Sequence, residues 1–277
     1  MAALDFRKMH GLGNDFVVLD ARDRVIRVTP ELARGLADRH TGIGFDQLIV
    51  LERPLNPAAA VFMRILNADG SEAGACGNAT RCVAGLVMDE TGERRLAVET
   101  IAGLLPASRG ASGQITVDMG LARLRWRDIP LAEPADTASV AIDVEGLGPA
   151  CCCNMGNPHA TFFVPDADAV NLHRLGPLLE HHPIFPQRAN IGFASLAAPG
   201  RLRLRIWERG VGMTLACGSG ACAGLVAAAR RGITGRSAEI VMERGSLQVA
   251  WAEDGHVQMT GPVATSFTGT VDTLHFT

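Results

Sequence analysis

No tyrosine occurs in the 277-residue chain, so no phenolic acid or base is available to it. Lys8 is the single lysine. A pyridoxal phosphate enzyme needs a Schiff-base lysine, and one this close to the N-terminus suits that role poorly. No glycine-rich loop ends in the Lys-Ser/Thr pair of a phosphate-binding P-loop. Charge of one sign is lacking too: 26 basic against 29 acidic side chains leave a net charge of -3. That excludes the basic footprint of a nucleic-acid or anionic-membrane binder and points to small partners. The longest apolar runs, Ala58–Met63 and Ala223–Ala229, fall far short of the roughly 18 residues of a membrane span. Asp5 and Arg7 interrupt the apolar core that a secretory signal needs, so a cytoplasmic protein is expected.

What is present in quantity is hydrophobic residues, at 47%, and an odd number of cysteines: Cys76, Cys82, Cys151, Cys152, Cys153, Cys217 and Cys222. Without a secretory signal these read as thiols before disulfides. Their spacings match no common zinc pattern, so no metal is expected. Polar and apolar residues alternate in Arg201–Trp207, Gln114–Asp118 and Leu247–Trp251, as in strands with one buried face. Helices are predicted from Thr29, where Pro30 takes the first helical position, from near Asn171, and after Cys76 and Cys217. Short strands with a few interspersed helices indicate an α+β fold.

An internal repeat organises the chain. ACGNATRCVAGLV at Ala75–Val87 is echoed by ACGSGACAGLV at Ala216–Val226. Nine residues before each leading cysteine stands a polar residue, Asn67 or Glu208, both pairs offset by 141. Gly13-Asn14 and Gly156-Asn157 precede these, and an amide follows each at the same interval, Gln47 and Asn190, offset by 143. Two halves of like fold are expected, meeting near Leu121–Arg127.

Each Cys-Gly-polar triplet opens an apolar helical stretch. A cysteine at a helix N-terminus has its thiolate favoured by unpaired N–H groups and the positive dipole end, which predicts a pKa lowered towards neutrality. The N–H groups at Gly77, Asn78, Gly218 and Ser219 suit a carboxylate. If a pseudo-twofold brings both cysteines to one cleft between the domains, a thiolate on one face of a planar carbanion and a thiol on the other invert a stereocentre. The helix N–H groups then stabilise the enolate-like charge. This is cofactor-independent racemisation or epimerisation α to a carboxylate.

Asn67–Arg81 (NADGSEAGACGNATR) resembles the signature of the diaminopimelate epimerase family, as do Met9–Phe16, Gly42–Gln47, Gly156–His159, Trp207–Gly212 and Leu215–Cys222. The resemblance covers nearly the whole chain. It implies interconversion of LL- and meso-2,6-diaminopimelate, without a cofactor, in lysine and cell-wall precursor synthesis. It also implies two pseudo-symmetric domains, each a curved, mainly antiparallel, barrel-like sheet around a central helix. The expected domains are residues 1–120 with 264–277, where the C-terminal strand returns, and residues 121–263. By the same analogy Cys76 and Cys217 are the two bases, His159 tunes Cys76, and Glu208 tunes Cys217. A substrate with two amino acid centres suits neutral amides, which donate and accept without adding charge. Asn14, Gln47, Asn67, Asn157 and Asn190 are therefore expected substrate contacts, with Arg209 as a fork for the distal carboxylate and Glu208 for an ammonium. Met213, Gly192 and Ser219 depart from residues common in the family. The family also suggests a homodimer.

The nearest alternative is a related two-cysteine racemase or epimerase acting on another amino acid. A metal-stapled binding domain or a thiol–disulfide redox protein would use the same cysteines differently.

Overall fold

The computed structural model describes residues 3–144 and 146–276, with the side chains of Leu274 and His275 excepted. It divides into two compact units, Met1–Val117 with Gly261–Thr277, and Asp118–Thr260. The expected junctions at 120/121 and 263/264 lie three residues beyond these. Residues 1, 2 and 277 of the expected N-terminal domain fall outside the described residues.

The first unit runs β1 (Leu4–Gly11), β2 (Asn14–Asp20), α1 (Pro30–Ala37), β3 (Gln47–Glu52), β4 (Val61–Asn67), β5 (Glu72–Ala73), α2 (Gly77–Thr91), β6 (Arg95–Thr100) and β7 (Gly103–Arg109), and β8 (Ile115–Leu121) runs across the junction at Val117/Asp118. The second runs β9 (Cys151–Asn154), β10 (Pro158–Phe163), α3 (Leu172–Glu180), β11 (Asn190–Ala198), β12 (Arg201–Glu208), β13 (Gly212–Thr214), α4 (Gly218–Arg230), β14 (Ser237–Met242), β15 (Gly245–Trp251) and β16 (His256–Gly261). The last strand, β17 (Ala264–Val271), pairs antiparallel with β1 and so closes the first unit.

The helix starts follow local chemistry. Thr29 Oγ1 accepts from Leu32 N at 3.2 Å with Pro30 in the first turn, and Asn171 Oδ1 caps Arg174 N at 3.1 Å. A side-chain oxygen there satisfies a donor that has no partner inside the helix. The three predicted strands are also found, with the Gln114–Asp118 strand beginning at Ile115 as β8 and extending to Leu121.

The sheet ladders repeat from one unit to the other. β2–β3 and β10–β11 are parallel, as are β4–β6 and β12–β14. The pairs β1–β2, β3–β4, β4–β5 and β6–β7 are antiparallel, and so are β9–β10, β11–β12, β12–β13 and β14–β15. Each sheet is thus mainly antiparallel with two parallel joints that simple alternation of polarity does not announce. Register repeats with the sequence offset: Phe16 faces Gln47 where His159 faces Asn190.

In each unit the helix after the leading cysteine is the core. Every residue of α2 from Gly77 to Met88 is buried. α4 is buried almost as continuously. A helix apolar on all sides needs covering on all sides, and the curved sheet supplies it. Strand β3 reads Leu48-Ile-Val-Leu51 with every side chain fully buried. Leu48 and Val50 pack with Val17, Leu19, Leu32 and Leu36 of α1 on the outer face. In the second unit α3 caps the corresponding layer through Leu172, Leu175 and Leu179. Cys151, Cys152 and Cys153 lie buried in β9, and Cys82 and Cys222 lie buried in α2 and α4. All seven cysteines are thiols.

Candidate active site

Each leading cysteine is the residue immediately before a buried helix. Cys76 has φ -147° and ψ 110° and Cys217 has φ -124° and ψ 110°, extended conformations that end a strand-like approach as the helix begins. The first N–H groups of the helix, including those of Gly77 and Asn78 or of Gly218 and Ser219, lack intrahelical acceptors by geometry.

Around Cys76, Asn14 at the start of β2 is oriented by its neighbours. Its Nδ2 donates to Asp46 Oδ2 at 2.9 Å. A carboxylate only accepts, so the amide oxygen turns the other way, 3.8 Å from Cys76 Sγ and 3.1 Å from Asn78 Nδ2. Asp46 is held in turn by Arg39, which also grips Asp15 beside the buried Lys8. Burial alone would raise the Asp15 carboxyl, but bonds from Arg39 and Lys8 bring it down to about 2. The lone lysine therefore serves this ion cluster. Gln47 and Asn67 stand opposite each other in the β3–β4 ladder, with Gln47 Nε2 donating to Asn67 Oδ1 at 3.0 Å. Asn67 Nδ2 donates to Ser71 Oγ, and Asp69 caps Ser71. Gln47 Oε1 and Asn78 Oδ1 are buried acceptors with no donor among the described residues.

Around Cys217 the polar set differs. Ser219 Oγ lies 3.6 Å from Cys217 Sγ and 3.2 Å from His159 Nε2. The same His159 nitrogen meets Asn157 Oδ1 at 2.8 Å and Asn190 Nδ2 at 3.5 Å. Asn190 Nδ2 also donates to the Pro158 carbonyl, and its Oδ1 accepts from Arg209 N at 2.9 Å. Glu208, which ends β12, accepts from Thr214 Oγ1 at 2.5 Å. Arg209 is exposed, with Nη1 on the Gln187 carbonyl.

One expectation is corrected here. The helix N-terminus was expected to lower the cysteine pKa, yet burial, aided by the Glu208 carboxylate that accepts from the thiol, pushes Cys217 well above the ordinary thiol value. Bonds from Ser219 and the Gly220 N–H pull the other way without overcoming this. Desolvation is the larger effect because Cys217 is 5% exposed. Burial, then the Arg209 charge, lowers the His159 pKa to about 3, so its imidazole is neutral. It belongs to the second unit with Cys217, whereas Cys76 belongs to the first.

The remaining site residues sit at matched positions. Gln47 and Asn190 hold equivalent ladder positions, Asn67 and Glu208 end β4 and β12, Asn78 and Ser219 are the second residues of α2 and α4, and Asn14 opens β2 where Asn157 directly precedes β10, at the offsets of 143 and 141. Thr214, Asp46 and Arg39 were not anticipated as site residues. Thr214 lies between the Trp207–Gly212 and Leu215–Cys222 motifs, and its bond to Glu208 becomes visible only when β13 folds beside β12. Among the described residues no cluster of three or more His, Cys, Asp or Glu could hold a metal ion.

The sequence pattern of the diaminopimelate epimerase family matches residues 6–125 and 151–266. The chain belongs to the diaminopimelate epimerase family. It is 61% identical over 264 residues to the diaminopimelate epimerase of Rhodospirillum centenum (strain ATCC 51521 / SW), covering 95% of this chain and 91% of that one. Against the diaminopimelate epimerase of Acidiphilium cryptum (strain JF-5) it is 58% identical over 271 residues, 98% and 97% of the two chains. The fold recurs in more distant solved structures. A Bacillus anthracis phenazine biosynthesis protein of the PhzF family superposes with a TM-score of 0.70 at 16% identity, over 98% of this chain and 100% of its own. A probable proline racemase from Agrobacterium radiobacter K84 superposes at 0.69 with 19% identity, over 97% and 93%. Of the departures from the diaminopimelate epimerase family's usual residues, Met213 offers its sulfur to Arg205 Nη2 at 3.6 Å. Gly192 lies under Leu204, where a Cβ would sit 3.4 Å from its Cδ1.

Proposed function

We propose that the protein interconverts LL- and meso-2,6-diaminopimelate by a cofactor-independent two-base mechanism. Cys76 and Cys217 are the bases, and the pathway is lysine and cell-wall precursor synthesis. The observation that carries the reading is the duplication itself: two thiols, each at the start of a buried helix, each backed by amides at matched ladder positions. The scheme needs one α-carbon within reach of both. Cys217, kept protonated by burial and Glu208, is the acid in the direction where Cys76 thiolate removes the α-proton. The carbanion then takes the Cys217 proton on its opposite face, leaving Cys76 as thiol and Cys217 as thiolate, the state from which the reverse reaction starts.

The α-carboxylate takes up the N–H groups of Gly77, Asn78, Gly218 and Ser219, where charge accumulates as the carbanion forms. Asn14, Gln47, Asn67, Asn157 and Asn190 read the amino acid groups, Glu208 also offers an ammonium contact, and Arg209 takes the distal carboxylate. The donorless oxygens of Gln47 and Asn78 support this, because a buried acceptor without a partner is costly and an ammonium supplies one. His159 acts as a neutral hydrogen-bonding group and tunes Cys76 in that form. The protein is read as a cytoplasmic homodimer; among the described residues no helix is long and apolar enough to cross a membrane, and sedimentation tests the dimer.

The deciding experiment is incubation with LL-diaminopimelate in D2O, following configuration and α-deuterium together. Meso product with deuterium at the inverted carbon is expected. Inversion that keeps the substrate's own proton refutes separate donor and acceptor groups. No turnover in reduced protein refutes the substrate.

A further inference from the structure

We propose that Glu180, at the C-terminal end of α3, is a positioning residue that fixes the Trp207–Gly210 turn and thereby sets Glu208 and Arg209. The inference rests on the reading of Glu208 and Arg209 as site residues. Glu180 is 3% exposed, yet it is a carboxylate. Burying such a group is unfavourable unless donors meet it. Both donors come from the two sides of the turn: Trp207 Nε1 donates to Oε2 at 2.7 Å, and Gly210 N donates to Oε1 at 2.9 Å. Arg188 Nη1 lies 3.7 Å from the same Oε1. The two residues bracketed by these bonds are Glu208 and Arg209.

One helical turn earlier, Gly176 lets the indole lie against the backbone of α3. A Cβ there would come within 2.4 Å of Trp207 Cδ2. Gly176 and Glu180 are thus an i, i+4 pair on one helix face, one receiving the ring and the other its N–H.

The first unit carries the same device with different residues. Its turn after β4 closes through Gly70 N to Asn67 O, at 2.9 Å, as the other closes through Val211 N to Glu208 O at 3.1 Å. There α1 does the holding: Arg34 Nη1 donates to the Asp69 carbonyl, and Gly70 lies so close to Pro30 that a Cβ would meet its carbonyl at 2.7 Å. In both units the outer helix grips the turn adjoining the residue nine positions before the leading cysteine. A role in shape alone does not require a buried charge. A carboxylate with both oxygens committed to one four-residue turn does fix that turn's conformation.

The test is the pH profile of Cys217 alkylation, read by peptide mass spectrometry in the full-length protein, since Glu208 acts directly on that thiol. Glu180→Gln keeps the shape but leaves one acceptor for two donors. It is expected to move the profile to lower pH by about half a unit, or about threefold in rate at fixed pH, in the direction of Glu208→Gln. Trp207→Phe, which removes the indole donor, moves it the same way and carries the test if Glu180→Gln does not fold. Phe162→Leu, which loosens the same core at a ring stacked on Phe193, leaves the profile in place. Wild-type profiles for Glu180→Gln and Trp207→Phe, alongside a shifted Glu208→Gln, overturn the inference and leave the site reading intact. An equal shift in Phe162→Leu also overturns it, by showing a merely structural effect. A wild-type profile for Glu208→Gln itself overturns the reading of Glu208 beneath it.

Discussion

His159 makes a quantitative prediction about acid stability. Its imidazole is 3% exposed and packed among Asn157, Asn190 and Ser219. Burial, followed by the Arg209 charge, takes its pKa from 6.5 to about 3. A basic group depressed by folding contributes stability that is present above the unfolded value and lost as pH falls through the folded one. At pH 4.5 the unfolded chain has bound this proton and the folded chain has not. The interval from 6.5 to 4.5 is two units, about 2.7 kcal/mol, and about 2.5 kcal/mol after subtracting the small part already present at pH 7. His159→Gln keeps a polar side chain but removes the titration. Urea unfolding at pH 7 and pH 4.5 measures the effect, followed by tryptophan fluorescence. Trp126, Trp207 and Trp251 are all the tryptophans and all lie in the second unit, so the signal reports the domain that holds His159. Every other titrating group is common to both proteins and cancels in the comparison. Wild type should lose about 2.5 kcal/mol more than His159→Gln between the two pH values. An equal loss in the two proteins refutes the neutral, desolvated imidazole.

Cys76→Ala and Cys217→Ala should each lower epimerisation by at least about 10²–10⁴-fold while the urea midpoint stays near wild type; chiral analysis of product checks this, and full turnover by either excludes two bases. Gly176→Ala should destabilise the second unit by about 1–3 kcal/mol, because the new methyl enters the Trp207 ring that Glu180 and His173 hold in place; tryptophan-detected unfolding reads it, and a gain in stability would show that helix propensity outweighs the clash. Desolvation holds the Cys82 thiol up at about 12 against an unfolded 9.0. A raised pKa contributes stability below the unfolded value that is lost as pH rises, so wild type should lose about 1.4 kcal/mol more than Cys82→Ala between pH 8 and 10. Equal alkaline losses contradict that account.

The sequence by itself determined the helices, the repeat and both leading cysteines. Thr29-Pro30 and Asn171 are local capping signals, and the 141-residue offset marks homologous positions before any contact is known. The resemblance supplied the curved sheets around central helices and the return of β17. Only the tertiary structure decided the charge states. The dipole argument for Cys217 used its place at a helix start and was reversed by burial and by Glu208, which arrives from β12. His159 and Phe16 share one ladder position, so the repeat could not show that one half carries an imidazole, nor that its surroundings keep it neutral. Glu180 left no motif, because its partners lie at Trp207 and Gly210, 27 and 30 residues along the chain. Propensity and periodicity are properties of neighbours in sequence. Desolvation and hydrogen-bond partnership depend on what the fold brings to the same place, and here they raise the Cys217 thiol and keep the His159 imidazole neutral.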